Sequence, residues 1–170
     1  MEVGAGLGFL SAFCAKKIGN ERVFAYDANP ALMEMIRQIH SDNGVAPTVR
    51  NALLGDGEGE REFFLEKDFW ASSLIAQTPD AQAIRVPQVD LNTEIRRIAP
   101  TFMIVDIEGG EAEFFQLADL TPVRKLCVEV HPHVLGNRRI SEMIARLVDQ
   151  GFALDFGCMQ KNVLFFYRKA

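Results

Sequence analysis

The chain contains no run approaching the ~20 consecutive apolar residues that a membrane-spanning helix needs, and its N-terminus lacks the basic start and long apolar centre of a secretory signal. A cytoplasmic protein is therefore expected, with no membrane partner. Positive charge is also short: 18 Lys and Arg face 23 Asp and Glu, leaving a net charge of −5. A phosphate backbone is met by a cationic face, so nucleic acid is not an expected partner. Cysteine is scarce, and Cys14, Cys127 and Cys158 are odd in number, far apart and set in apolar surroundings. That pattern fits neither a disulfide framework nor a zinc site, and it predicts buried free thiols in a reducing compartment. Internal repeats and low-complexity tracts are absent too. What is present is 170 residues, 48% of them hydrophobic, enough for one domain with a substantial core and no need of a second. A single domain over residues 1–170 is expected.

Taken in order, the chain alternates strand-like and helix-like segments. A short apolar lead-in meets the glycines of Gly4-Ala5-Gly6-Leu7-Gly8, and Leu10, Phe13, Cys14 and Ile18 then recur at helical spacing up to a stop at Gly19-Asn20. Arg22 to Tyr26 predicts a strand, ended by Asp27 and by Asn29-Pro30. Leu32, Met35, Ile36 and Ile39 mark a one-sided helix that stops at Asp42-Asn43-Gly44, with His40 read as a surface residue complementing the helix dipole. Thr48 to Leu54 predicts one strand, Gly55-Asp56-Gly57-Glu58-Gly59 a turn, and Arg61 to Leu65 another strand. Residues 66–83 show no period and carry the only tryptophan, Trp70, beside Phe69; the segment reads equally as a lid or as a pinned surface loop.

Beyond it, Leu91, Ile95 and Ile98 predict a short helix before Pro100. The run Phe102-Met103-Ile104-Val105 has the composition of a central parallel strand buried on both faces, and it ends at Asp106. A helix follows with Phe114, Phe115, Leu117 and Ala118, then a strand over Leu126 to Val130 ending near His131. The clearest helix carries Ile140, Met143, Ile144, Leu147 and Val148 on one stripe, with Gly151 just past its end. Two closing strands, near Phe152–Phe156 and Asn162–Tyr167, are close enough to pair as a hairpin. Such alternation predicts an α/β fold with a doubly wound, mostly parallel sheet, a C-terminal antiparallel hairpin and a first strand with almost no room before Met1. In that architecture ligands lie at the carboxyl ends of strands, where Asp27, Asp106 and His131 all fall.

Glycines after a strand let a ligand touch backbone, because side chains there would fill its space. The spacing Gly4-x-Gly6-x-Gly8 departs from the dinucleotide fingerprint, whose third glycine would stand at Phe9, and the loop lacks the Gly-Lys-Ser/Thr ending of a P-loop. Its one ionisable residue is Glu2, whose carboxylate would repel a pyrophosphate and attract an ammonium or sulfonium. That charge points to S-adenosylmethionine, with Asp27 placed to accept hydrogen bonds from ribose hydroxyls.

The whole chain resembles FkbM-type S-adenosylmethionine-dependent methyltransferases. Glu2-Val3-Gly4-Ala5-Gly6-Leu7-Gly8-Phe9 is similar to the family's cofactor loop, and Val23-Phe24-Ala25-Tyr26-Asp27-Ala28-Asn29-Pro30 to its second strand and ribose acid. Asn51-Ala52-Leu53-Leu54-Gly55-Asp56 resembles the segment before its central turn. Met103-Ile104-Val105-Asp106-Ile107-Glu108-Gly109-Gly110-Glu111 is the most diagnostic match, with Gly110 where alanine is common, and Cys127-Val128-Glu129-Val130-His131-Pro132 resembles its next strand. Family members have a full first strand and residues upstream, so a chain lacking N-terminal residues is expected.

The resemblance implies a Rossmann-like class I methyltransferase fold and methyl transfer to a small-molecule acceptor, typically a hydroxyl of a sugar or natural product. It implies a cofactor site built from Glu2, Gly4, Ala5, Gly6, Gly8, Phe9, Asp27, Ala28, Asn51, Leu53 and Asp106. Asp106 is the first candidate for orienting or deprotonating the acceptor and His131 the second. Glu108 and Glu111 could line the acceptor pocket, bind a metal with Asp106, or serve as acids in a helix's first turn; the last reading is preferred for Glu111, and no metal is expected. Glu129 could orient His131 from two residues away. His133 carries a weaker claim, Asp56 reads as a turn or an adenine contact, and Trp70 as an anchor or an acceptor contact. Two other functions stay open: a nicotinamide-dependent oxidoreductase, and a non-catalytic relic serving as an interaction domain.

Overall fold

The computed structural model describes residues 1–68 and 72–168. Phe69 and Trp70 lie outside the described residues. The strands and helices follow in the order β1 (Glu2–Val3), α1 (Phe9–Ile18), β2 (Phe24–Asp27), α2 (Met33–Asp42), β3 (Thr48–Asn51), β4 (Leu53–Gly55), β5 (Gly59–Leu65), β6 (Gln82–Asp90) and α3 (Leu91–Ile98). They continue as β7 (Phe102–Val105), α4 (Glu111–Leu117), β8 (Lys125–Glu129), α5 (Pro132–Asp149), β9 (Ala153–Leu154) and β10 (Val163–Tyr167). No described helix is long and apolar enough to cross a membrane.

The main sheet has the order β3-β2-β1-β7-β8-β10-β9. Its first five strands run parallel, and β10 runs antiparallel to β8 and to β9. The expected doubly wound, mostly parallel sheet with a closing antiparallel hairpin is therefore observed. The two-residue β1 sits at its centre, with Val3 opposite Tyr26 on one side and Val105 on the other. Strand order reverses between β1 and β7, and in open α/β sheets the binding crevice opens at that point, beyond the strands' carboxyl ends.

One face of the sheet holds the larger core. Val3, Tyr26, Met103, Val105, Leu126 and Val128 pack there with Leu91 and Ile95 of α3, Phe114 and Phe115 of α4, and Met143 and Leu147 of α5. Each fully buried side chain of this size stabilises by about 1.5–3 kcal/mol. The stripe expected on α5 is buried at Ile140, Met143 and Leu147, while Val148 is exposed. A smaller core of Ala25, Leu32, Met33 and Ile36 lies with α2. Along β7 burial alternates, so Phe102 and Ile104 are not enclosed and the run is not buried on both faces.

Several local expectations are corrected. Helix α1 buries Ser11, Ala12 and Ala15 rather than its larger apolar residues, and Phe13 is 60% exposed. Small residues permit close approach, so the buried face of this helix is its narrowest. The run Thr48–Leu54 is two strands in two sheets: β3 pairs with β2, and the chain crosses at Ala52 to form β4 beside β6. β6 is long but carries Pro87, a residue that argues against a strand interior, and its other partner is β5, antiparallel. These three strands form a separate small sheet, β4-β6-β5. Cys14 and Cys127 are half-buried and Cys158 is exposed, so burial does not explain all three thiols.

Candidate functional site

The crevice at the switch point is a real cleft, with about 960 Å³ of empty space, part of it open to solvent. Of the residues expected to hold a cofactor, Gly4, Gly6, Asp27, Ala28, Leu53 and Asp106 line it. Backbone geometry explains the loop. Gly4 has φ 81°, and a Cβ built there would lie 1.6 Å from the carbonyl oxygen of Asp106, so the loop after β1 presses directly on the turn after β7. Gly6, also left-handed at φ 53°, has nothing within 4 Å of where its Cβ would be. Its bare side faces the cleft, the kind of cradle that a side chain would occupy.

Asp27 closes β2 and is buried. Its Oδ2 accepts from the Gly6 N–H at 2.8 Å and its Oδ1 from the Asn29 N–H at 2.8 Å. Burial pushes its carboxyl above the ordinary range against these hydrogen bonds. A carboxylate oxygen has a second lone-pair direction, so Asp27 ties the loop to the strand and still has capacity toward the cleft. Asn51 acts behind it: its Nδ2 donates to the carbonyls of Asp27 and Ala28 at 2.9 and 3.1 Å, supporting the turn without lining the cleft.

Glu2 is not brought to the cleft. Successive strand residues point to opposite faces; Val3 lines the cleft, and Glu2 turns into a second groove with Ser11 and Cys14. There its Oε2 is buried without a hydrogen-bond partner, and burial pushes its carboxyl up to about 7. Ala5, Gly8 and Phe9 also lie off the cleft. Gly8 packs against Ile36 and His40 of α2, Ala5 belongs to the α2 core, and Phe9 is exposed at the start of α1. His40, expected on the surface, is buried: its Nε2 lies 2.9 Å from Ser11 Oγ and 3.2 Å from the Gly8 carbonyl, bracing the loop from behind.

The other wall carries the acid–imidazole cluster. Asp106 follows β7, its N–H donating to the Val3 carbonyl at 2.9 Å. Burial pushes its carboxyl up to about 7, helped by the Glu129 carboxylate and opposed by His131. Glu108, two residues on, has φ 48°, a left-handed conformation that costs a non-glycine residue about 1–2 kcal/mol. His131 does not line the cleft, but its Nε2 lies 3.3 Å from Glu108 Oε2 and 3.7 Å from Asp106 Oδ1. Its Nδ1 meets Glu111 Oε1 at 2.6 Å, and that same oxygen accepts from the Gly109 N–H at 3.1 Å. Glu111 stands in the first turn of α4, as expected, but it is wholly buried there as the partner of His131 and takes the orienting role expected of Glu129. Burial pulls the imidazole down, but the Glu108 and Glu111 carboxylates outweigh it and hold its pKa well above the ordinary value. His133 is exposed, its ring edge-on to His131 at 5.9 Å.

Sequence reasoning missed the outer wall. Arg61 of β5 meets Glu113 of α4 through two contacts of 2.5 and 2.9 Å, joining the small sheet to the main domain, and Phe63, Ser72 and Leu74 line the cleft beside it. The two-residue spacing of Arg61 and Phe63, which puts both on one face of a strand leaving a glycine turn, was the available signal. Asp56 is exposed and does not line the cleft.

The fold is that of known methyltransferases. The chain superposes on the structure of precorrin-6y C5,15-methyltransferase from Geobacter metallireducens GS-15 with a TM-score of 0.56 at 13% identity, covering 99% of this chain and 78% of that one. At that identity the likeness speaks for the fold alone. No curated protein matches the chain. The family model described as "Methyltransferase FkbM domain" matches residues 2–154, which takes in the glycine loop, Asp27, Asp106 and His131. The chain therefore belongs to the FkbM methyltransferase domain family.

Proposed function

We propose that the chain methylates an oxygen of a small-molecule acceptor, a hydroxyl of a sugar or natural product, with S-adenosylmethionine as donor. The observation that carries the reading is the convergence of the Gly4–Gly6 loop, Asp27 and Asp106 on one cleft at the switch point of the sheet. The donor brings a methyl group already activated by its sulfonium, so the protein's task is alignment and proton removal. Gly4 and Gly6 leave room for a ligand against backbone, and the free lone pairs of Asp27 suit ribose hydroxyls. Asp106, poised near neutrality, is suited to accept a proton from the acceptor hydroxyl. His131, fixed by Glu111, steadies the carboxylate beside it.

Calorimetry with S-adenosylmethionine, S-adenosylhomocysteine and NAD, followed by methylation assays on hydroxyl acceptors, tests the reading. Binding of the first two is expected. Binding of NAD alone would sink it, and binding of none of the three would favour a non-catalytic domain.

A further inference from the structure

We propose that Asp106, Glu108 and His131 form a divalent-cation site that fixes the acceptor oxygen beside the cleft. The purpose given to the ion rests on the methyl-transfer reading; the site itself rests on geometry. One ligand atom from each of the three residues lies within 4.8 Å of the others. Donors about 2.1 Å from a magnesium-type ion stand about 3.0 Å apart when adjacent and about 4.2 Å apart when opposed. The His131 Nε2 separations of 3.3 Å to Glu108 and 3.7 Å to Asp106 fall between those values.

The histidine is set up as a ligand. Its side chain is 8% exposed, and Glu111, itself enclosed, faces Nδ1 at 2.6 Å. A carboxylate on Nδ1 fixes one proton there, so an ion arriving between Asp106 and Glu108 displaces the other proton from Nε2 and takes that lone pair, the carboxylate–histidine–metal arrangement. Glu111 is locked in turn by the Gly109 N–H.

A separate observation points to a missing partner. Asp106 Oδ1, the atom facing Nε2, is buried and has no hydrogen-bond partner, although the side chain as a whole is 44% exposed. Buried carboxylate oxygens are ordinarily satisfied, and an ion between Oδ1 and Nε2 would satisfy this one. Charge agrees: among the described residues, the ion-pair partner of Asp106, Glu108 and Glu111 is His131 alone. A dication would balance that surplus of carboxylate.

Two carboxylate oxygens and one imidazole nitrogen suit manganese or magnesium better than thiolate-seeking metals. Three protein donors leave positions open, and Asp106 and Glu108 both line the cleft, so an acceptor hydroxyl oxygen is able to complete the shell from that side.

The test is titration of Mn2+ into the full chain, read by loss of the free-ion EPR signal and by calorimetry, beside S-adenosylmethionine calorimetry on the same samples. One saturable Mn2+ per chain is expected, displaced by excess Mg2+. Glu108→Gln should weaken uptake at least tenfold with S-adenosylmethionine affinity kept, and Glu111→Gln about tenfold to a hundredfold through the histidine. Glu108 is half-buried on a turn, so its variant is the one on which the result rests, with its unfolding midpoint as the check on folding. No saturable uptake at millimolar Mn2+, or uptake unchanged in Glu108→Gln, would overturn the site. Cofactor binding without ion uptake leaves the methyl-transfer reading standing, and ion uptake without cofactor binding leaves the ion site standing alone.

Discussion

Glu2→Gln should stabilise the protein at alkaline pH and do little in acid. Glu2 is 4% exposed, its Oε2 has no partner, and burial lifts its carboxyl from 4.5 to about 7 against the pull of Ser11 and the N-terminal ammonium. A folded-state pKa above the unfolded value means that the folded chain holds the proton more tightly. The associated stability is present below about 4.5 and is lost as pH rises through 7, where the buried group must ionise. At about 1.4 kcal/mol for each factor of ten in proton affinity, the full cost above pH 7 is about 3 kcal/mol, and at pH 5 it is below about 1 kcal/mol. Glutamine keeps the shape and removes the charge. Any cost of burying its amide is the same at both pH values, so the informative quantity is the change in the mutational effect between pH 5 and pH 8, expected at about 2–3 kcal/mol. Urea unfolding of both proteins across that range measures it. An effect that does not change with pH would refute the burial of an unpartnered Glu2 carboxyl.

Gly4→Ala forces a left-handed residue into a position where its Cβ meets the Asp106 carbonyl; a loss of about 2–4 kcal/mol in unfolding free energy is expected, with cofactor binding abolished. We predict that kcat/KM rises with pH up to about 7 and then levels, because Asp106 must be ionised to take a proton, and that Asp106→Asn lowers kcat about 10²–10⁴-fold with S-adenosylmethionine affinity kept. A flat profile would remove Asp106 as the base, and an unchanged rate in both Asp106→Asn and His131→Gln would remove both residues from catalysis. Glu94, buried among Tyr26, Arg50 and Arg97, is held down to about 2, chiefly by Arg97. Its stabilisation is therefore present above about 4.5 and lost as pH falls toward 2, and Glu94→Gln should cost about 1–3 kcal/mol by thermal or urea unfolding at pH 7 and little near pH 2.

Much of the fold was legible because its signals are local. Glycines after an apolar lead-in, an acid before Asn29-Pro30, and an apolar run ending at Asp106 are each encoded within a few residues, and each stands where a parallel strand ends. The helical period of α5 gave the right element and most of the right face. The small sheet was less legible: β6 hides behind Pro87 and a mixed composition, and the break at Ala52 is a decision of two sheets rather than of the residue. The buried face of α1 was not legible because a period marks where apolar residues recur, not how closely the sheet allows the helix to approach.

What the sequence determined by itself was the set of polar residues at strand tips and the glycine spacing that leaves room for a ligand. The tertiary structure decided which of them meet. It turned Glu2 away from the cleft, because Val3 needed the opposite face of a two-residue strand. It paired Glu111 with His131 across 20 positions and Arg61 with Glu113 across 52. Turn, cap and period are short-range properties of the chain, whereas the partner of a buried charge is selected by the packing that removes water from around it.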